Sequence, residues 1–185
     1  TGPLVAVPVN SVTATNGPVN SVTATNAELL IGGQGTNTLD YTSFFSRGIN
    51  VDLEKGEAEE NFEVLGIENV QGSNRHDTIT GDDQDNRFDG GGGDDTLAGG
   101  PGDDVYVFQD GWGQDKVIEA PGQDSGQGYD TLDFSQVTVA LDFGVQPDGS
   151  LKVIGGGNSL EATNVEILKV NPNFKNKLNY TTYKE

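Results

Sequence analysis

From residue 72 to residue 107 the sequence reads as four nonapeptides without a gap: GSNRHDTIT (72–80), GDDQDNRFD (81–89), GGGGDDTLA (90–98) and GGPGDDVYV (99–107). The sixth residue of each carries a short oxygen donor, in Asp77, Asn86, Asp95 and Asp104, and the residues before it are mostly Gly, Asp, Asn and other small polar types. That combination suits a hard divalent cation. Calcium takes six to eight oxygen ligands at roughly 2.3–2.6 Å, drawn from carboxylates and backbone carbonyls. Glycines let a tight loop turn its carbonyls inward, and a short carboxylate closes it. The longer Glu fits such a loop less well, and residues 72–115 hold eleven Asp and eleven Gly but no Glu. An acidic face that served solubility alone would mix both acids.

Looser copies of the unit stand outside the run, at GGQGTNTLD (32–40), DGWGQDKVI (110–118) and SGQGYDTLD (125–133). GGGGDDTLA and GGPGDDVYV fit the nonapeptide GGxGxDxUx at every defined position, and GSNRHDTIT and GDDQDNRFD fit it in part. The segment therefore resembles the repeats-in-toxin (RTX, hemolysin-type) calcium-binding proteins. With related caps the resemblance covers about residues 32 to 168. It implies a parallel β-roll in which two nonapeptides complete one coil and a calcium ion lies between a loop and the loop two repeats later.

On that pattern the first site takes the side chains of Asp77 and Asp95 with the carbonyls of Ser73, Arg75, Gly90 and Gly92. The second takes the side chains of Asn86 and Asp104 with the carbonyls of Asp82, Gln84, Gly99 and Pro101. A third ion would use Gly91, Gly93 and Asp95 together with Asp110 or Asp115, where two inserted residues break the register. The ligand demand of each ion then gives ~2–4 calcium ions. Ser73, Arg75, Asp82 and Gln84 stand where the pattern has Gly, and Asn86 stands where it has an acid, so the second site should bind more weakly than the first. Loop 32–37, with Asn37 at position six, is expected to be a metal-free cap.

The elements that must hold these loops are short strands. Position eight of every unit is apolar, in Leu39, Ile79, Phe88, Leu97, Tyr106, Val117 and Leu132. One inward residue per nine suits a three-residue strand lining a narrow core, whereas a helix needs apolar residues every three or four. The flanks carry longer strands: Val137, Val139, Leu141, Phe143 and Val145 share a face before the turn Gln146-Pro147-Asp148-Gly149, and Leu151 and Val153 follow it. Ahead of the repeats, Ile49, Val51 and Leu53 alternate before Glu54-Lys55-Gly56, and NTLDYTS (37–43) mirrors DTLDFSQ (130–136). Solenoids need such ends to bury their terminal coils.

The expected fold is therefore all-β, a parallel β-roll (a right-handed β-helix or solenoid) with flanking antiparallel capping strands. Its expected parts are an extended or edge-strand segment (1–30) holding the duplicated PVNSVTATN, and an N-terminal cap with one degenerate repeat (31–71). The calcium-binding roll (72–118), a C-terminal β cap (119–170) and a basic tail (171–185) follow.

Composition narrows the function. Ten Lys plus Arg against 29 Asp plus Glu give a net charge of −19, which disfavours nucleic acid and anionic membrane surfaces. The absence of Cys removes disulfides and thiol chemistry, and a single histidine, His76, leaves no zinc site or His-based triad. His76, at the fifth position of its loop, reads as an exposed bystander. No apolar run spans a membrane, and no nucleophile elbow, phosphate loop or EF-hand is present, so the chain is not read as an enzyme.

Only 33% of residues are apolar, so something besides a conventional core must offset the entropy of ordering a Gly-rich chain. The first reading is a calcium-dependent structural or folding module of a larger secreted protein, folding on extracellular calcium. The resemblance further implies unfolded passage through a type I secretion channel. The second reading is a binding or adhesion module that offers Trp112 or its flank strands to a polysaccharide, a cell surface or a partner protein. In the first reading Trp112 covers the end of the stack.

Overall fold

A unit whose first six residues favour turns has only three residues left to extend before the chain must turn again. The computed structural model, which describes residues 11–13, 19–23, 29–43, 47–58, 62–119 and 128–179, follows that rule. Its strands are β1 (Ser11–Thr13), β2 (Val19–Thr23), β3 (Leu29–Ile31), β4 (Thr36–Asp40), β5 (Asn50–Asp52), β6 (Glu57–Ala58), β7 (Phe62–Leu65), β8 (Asn69–Gln71), β9 (Thr78–Thr80) and β10 (Arg87–Asp89). They continue with β11 (Thr96–Ala98), β12 (Val105–Val107), β13 (Gln114–Ile118), β14 (Thr131–Phe134), β15 (Asp142–Val145), β16 (Leu151–Gly155), β17 (Asn158–Thr163), β18 (Ile167–Val170) and β19 (Lys177–Asn179). No helix occurs among the described residues.

Consecutive repeats alternate between two sheets. One sheet runs β1-β3-β7-β6-β5-β9-β11-β13-β17-β16-β15-β19, and the other runs β18-β14-β12-β10-β8-β4-β2. Within the repeats every pairing is parallel and offset by two units: Thr78 faces Thr96 between β9 and β11, and Arg87 faces Val105 between β10 and β12. Two nonapeptides therefore make one coil, and the fold is an all-β roll.

The core is the column of position-eight side chains. Leu39, Ile79, Phe88, Leu97, Tyr106 and Leu132 are fully buried and Val117 nearly so. Each rung offers one such residue per sheet and contacts mainly the rungs beside it, the arrangement of a quasi-one-dimensional solenoid.

Antiparallel strands flank the parallel stack, as expected: β5, β6 and β7 form one meander and β15, β16 and β17 another, both in the longer sheet. The related segments also coincide, since Tyr41 after β4 and Phe134 at the end of β14 are both buried. The alternation at 137–145 is only partly a strand. Val137, Leu141 and Phe143 are buried, but pairing begins at Asp142 and Val145 is exposed. The turn that follows closes as its residues dictate, with Gly149 at φ 90° and Ser150 N donating to Asp148 Oδ1 (2.9 Å).

At the C-terminus part of the basic stretch is strand. Lys177 lies in β19, which pairs in parallel with β15, and Lys169 lies in β18, with its Nζ 3.9 Å from an Asp133 carboxylate oxygen. Lys175 falls in the link between these strands, and Lys184 lies outside the described residues. At the other end, the duplicated PVNSVTATN places one copy of Ser-Val-Thr in each sheet, Ser11–Thr13 as β1 and Ser21–Thr23 within β2. Both are edge strands, parallel to β3 and β4.

Candidate metal centre

The offset of two units stacks each loop on the loop of the next coil, and the position-six side chains form the joint. Asp77 N donates to Asp95 Oδ1 (2.8 Å) and Asp95 N to Asp115 Oδ1 (3.0 Å). On the other side Asn86 N donates to Asp104 Oδ1 (2.7 Å), Asp104 N to Asp130 Oδ1 (3.0 Å) and Asp130 N to Glu166 Oε2 (2.9 Å). Ile49 N, donating to Asp77 Oδ1 (2.9 Å), begins the first column. Asp77, Asn86, Asp95, Asp104, Asp115 and Asp130 are all buried.

One carboxylate oxygen thus ties adjacent rungs, and the loops differ in what they do with the position-six group within their own turn. In loop 72–77, Ser73 N donates to Asp77 Oδ2 (2.6 Å) and Ser73 Oγ to Asp77 Oδ1 (2.8 Å). In loop 81–86, Asp82 N donates to Asn86 Oδ1 (2.9 Å), and in loop 32–37, Gly33 N donates to Asn37 Oδ1 (3.1 Å). In loops 90–95 and 99–104 no such bond forms. Asp95 Oδ2 and Asp104 Oδ2 are buried and have no hydrogen-bond partner among the described residues.

Backbone conformation accounts for the difference. Gly91, Gly93, Gly100 and Gly102 have φ of 89°, 131°, 91° and 135°, a region open to Gly and strained for other residues. Ser73, Arg75, Asp82 and Gln84 hold the same positions in the earlier loops without positive φ, so the position-two N–H is free to meet position six. Side chains secure those turns instead: Arg75 N donates to Ser73 Oγ (3.1 Å) and Gln84 N to Asp82 Oδ1 (3.0 Å).

Six of the eight carbonyls assigned from the repeat pattern, those of Ser73, Arg75, Asp82, Gln84, Gly90 and Gly99, lie at the same interface. Ser73 O and Arg75 O face Gly91 and Gly93, Asp82 O and Gln84 O face Gly100 and Gly102, and Gly93 O faces Gly113; a Cβ on any of these glycines would collide with the facing oxygen. Gly90 O lies against Gly72 beside Asp77 Oδ2, and Gly99 O lies against Gly81 beside Asn86 Oδ1. Gly92 N donates to Ser73 O (3.3 Å), and Pro101 is half-buried on its loop.

Electrostatics mark the site as short of positive charge. Burial pushes Asp95 up to about 7, and the carboxylates of Asp77, Asp94 and Asp89 add to it. Burial pushes Asp104 up to about 8, with Asp130, Glu119 and Asp85 contributing, and Asp115 up to about 8, with Asp95, Asp94 and Asp89 contributing. Burial also raises Asp77, against three hydrogen bonds that favour its charged form. Buried carboxylates crowded by like charge, two of them with an orphan oxygen, fit a cation. Among the described residues no three His, Cys, Asp or Glu side chains form a metal-binding group, so any ligand set must draw on carbonyls, which the loops supply.

Two expected site residues lie elsewhere. Asp110 is not brought to Asp95: its carboxylate accepts from Thr138 N (2.8 Å) and Thr138 Oγ1, because the insertion after β12 leaves position one of loop 110–115 facing the 136–138 turn. Asp115 takes the place beside Asp95. Trp112 is not an exposed contact for a polysaccharide. It is 1% exposed and edge-on to Phe108 (6.2 Å) and Phe134 (5.9 Å) within the core. His76 is exposed but not idle, since its Nδ1 accepts from Asp94 N (2.8 Å). The same position-five link recurs where Asp85 accepts from Asp103 N (2.9 Å), Asp94 from Gln114 N (3.1 Å) and Asp103 from Tyr129 N (2.9 Å).

Sequence reasoning missed Asp130, Glu166 and Glu119. Asp130 carried a signal as position six of SGQGYDTLD, whereas Glu166 and Glu119 lie outside any repeat. Glu119 accepts from Gly99 N (2.8 Å) and from the Tyr106 hydroxyl, standing in for the strand carbonyl that Gly72 and Gly81 find in Asp89 and Ala98.

Comparison with curated proteins finds no match to the chain. The family model of the RTX calcium-binding nonapeptide repeat matches residues 71–106 in four copies, so the four loops between Gly72 and Asp104 are repeats of that family.

Proposed function

We propose that this chain is a calcium-binding structural module of a larger secreted protein, and that extracellular calcium completes its fold. The observation that carries the reading is the pair of buried oxygens, Asp95 Oδ2 and Asp104 Oδ2, that no donor among the described residues reaches. Position-six side chains and loop carbonyls of adjacent rungs would hold the ions, ~2–4 in number. Bound calcium supplies positive charge to carboxylates that burial otherwise drives toward protonation. The chain's own part is to present those oxygens from adjacent rungs and to keep them dry.

Compartment then sets stability. At millimolar calcium and a site dissociation constant near 10⁻⁴ M, each ion adds RT ln 11, about 1.4 kcal/mol, and at submicromolar cytosolic calcium it adds almost nothing. Together such ions complete the fold outside the cell. Far-ultraviolet circular dichroism at neutral pH tests this: chelator should weaken the β signal and millimolar calcium should restore it. A spectrum unchanged by both would overturn the switch.

A further inference from the structure

We propose that calcium is held at the C-terminal rungs, by Asp95 with Asp115 and by Asp104 with Asp130, and that loops 72–77 and 81–86 close without metal. This rests on the calcium reading above and assigns the ions to particular rungs. Asp115 and Asp130 both lie beyond the residues that match the repeat family, which end at 106.

The argument follows the oxygens. In loop 72–77 both carboxylate oxygens of Asp77 are already occupied, by Ile49 N, Ser73 N and Ser73 Oγ. In loop 81–86 the single acceptor oxygen of Asn86 takes Asp82 N, and its Nδ2 donates to Glu68 O (3.2 Å). Asn86 also brings no charge. These turns are satisfied by their own side chains and amides, and an ion there would have to break bonds that exist.

The two glycine loops are the reverse case. Asp95 and Asp104 are 1% and 0% exposed, and each keeps one oxygen with no partner among the described residues. The rung below each brings a second buried acid within one hydrogen bond of its backbone, Asp115 for Asp95 and Asp130 for Asp104. Gly93 O faces Gly113 across the first of these gaps, and Gly111 and Gly113, at φ 90° and 96°, repeat the turn of the glycine loops. A cavity of about 430 Å³ is lined by Asp94, Asp95 and Asp115 together with Lys116, Lys152 and Glu161.

The partition has a structural corollary. The rungs up to β10 are complete without metal and form a preformed platform, and the rungs from loop 90–95 onward are fastened by calcium. Folding then proceeds in one direction, from the N-terminal cap toward β14.

The test counts ions and locates protection in the full chain. Native mass spectrometry and calorimetry with calcium chloride should show Asp115→Asn and Asp130→Asn each losing one ion or at least tenfold affinity at one site. Asp77→Asn should keep the wild-type count. Because Asp77→Asn can weaken the fold itself, hydrogen exchange on calcium-stripped wild type gives a second reading: amides of β9 and β10 stay protected, those of β13 and β14 exchange, and calcium restores the latter. Loss of an ion in Asp77→Asn with full counts in Asp115→Asn and Asp130→Asn would overturn the partition, as would equal exchange in β9 and β13 without calcium. Wild type that binds no calcium at all would instead overturn the calcium reading.

Discussion

Removing calcium should reverse the usual dependence of an acidic protein's stability on pH. Burial, reinforced by neighbouring carboxylates, lifts Asp95 to about 7 and Asp104 and Asp115 to about 8. An unfolded Asp titrates near 3.9, so between about pH 4 and pH 7 the folded chain binds protons that the unfolded chain releases. The stability these groups contribute is complete below the unfolded value and is lost as pH rises through the folded one. One such group makes stability fall by about 1.4 kcal/mol per pH unit, so even one of the three behaving this way removes about 4 kcal/mol across the window. For a chain of this size that is a drop of roughly 10 °C in the thermal midpoint.

Asp52, Asp110, Asp133 and Asp148 do not interfere, since hydrogen bonds from Lys55, Thr138, Ser135 and Ser150 outweigh burial and hold them below the usual carboxylate value, under this window. The assay is thermal unfolding of calcium-stripped protein at constant ionic strength from about pH 5 to about pH 8, repeated in millimolar calcium, whose ligands must be deprotonated. The stripped protein should lose stability toward high pH and the loaded protein should gain it. A stripped protein equally stable at both ends, or more stable at the upper one, would refute the reasoning.

Two further outcomes follow from the rungs. Leu97→Ala, at a fully buried position between Ile79 and Val117, should cost ~2–5 kcal/mol in denaturant unfolding with calcium present; a loss below about 1 kcal/mol would mean the column is not the core. Gly113→Ala should weaken both stability and calcium affinity more than Gly111→Ala. The two share nearly the same positive φ, but only a Cβ at 113 meets a facing oxygen, Gly93 O, so equal effects would deny the close approach of the loops.

The roll was legible because its period is carried by side chains that each do one thing. Position eight is apolar in all seven units, and the three-residue strands and the buried column follow from it, whereas the two-unit offset came with the resemblance to the repeat family. The flanking meanders were legible from alternation and turn residues for the same reason. The paired edge strands at the N-terminus were less so: PVNSVTATN names a strand, but only the sheet order shows that its two copies enter opposite sheets.

The site was legible in composition and not in detail, and the cause is a competition that a motif does not display. Whether a position-six oxygen is free for a cation depends on which way the position-two N–H points, and that follows whether position two takes positive φ: Gly33 does not, and its N–H meets Asn37 as Ser73's meets Asp77. Ser73 and Asp82 look like mild departures from Gly, yet each redirects its own amide onto the group that would bind the ion. Spacing hides the other half of the site, since Asp115 and Asp130 stand 20 and 26 residues from the acids they meet instead of 18, and insertions shift the sequence period while the strands keep their register. Trp112 shows the same effect from the apolar side: it sits within a loop repeat but lies buried against Phe108, one of the two inserted residues. A repeat read by its letters locates the column of acids, and the residues that break the repeat decide which acids are left for calcium.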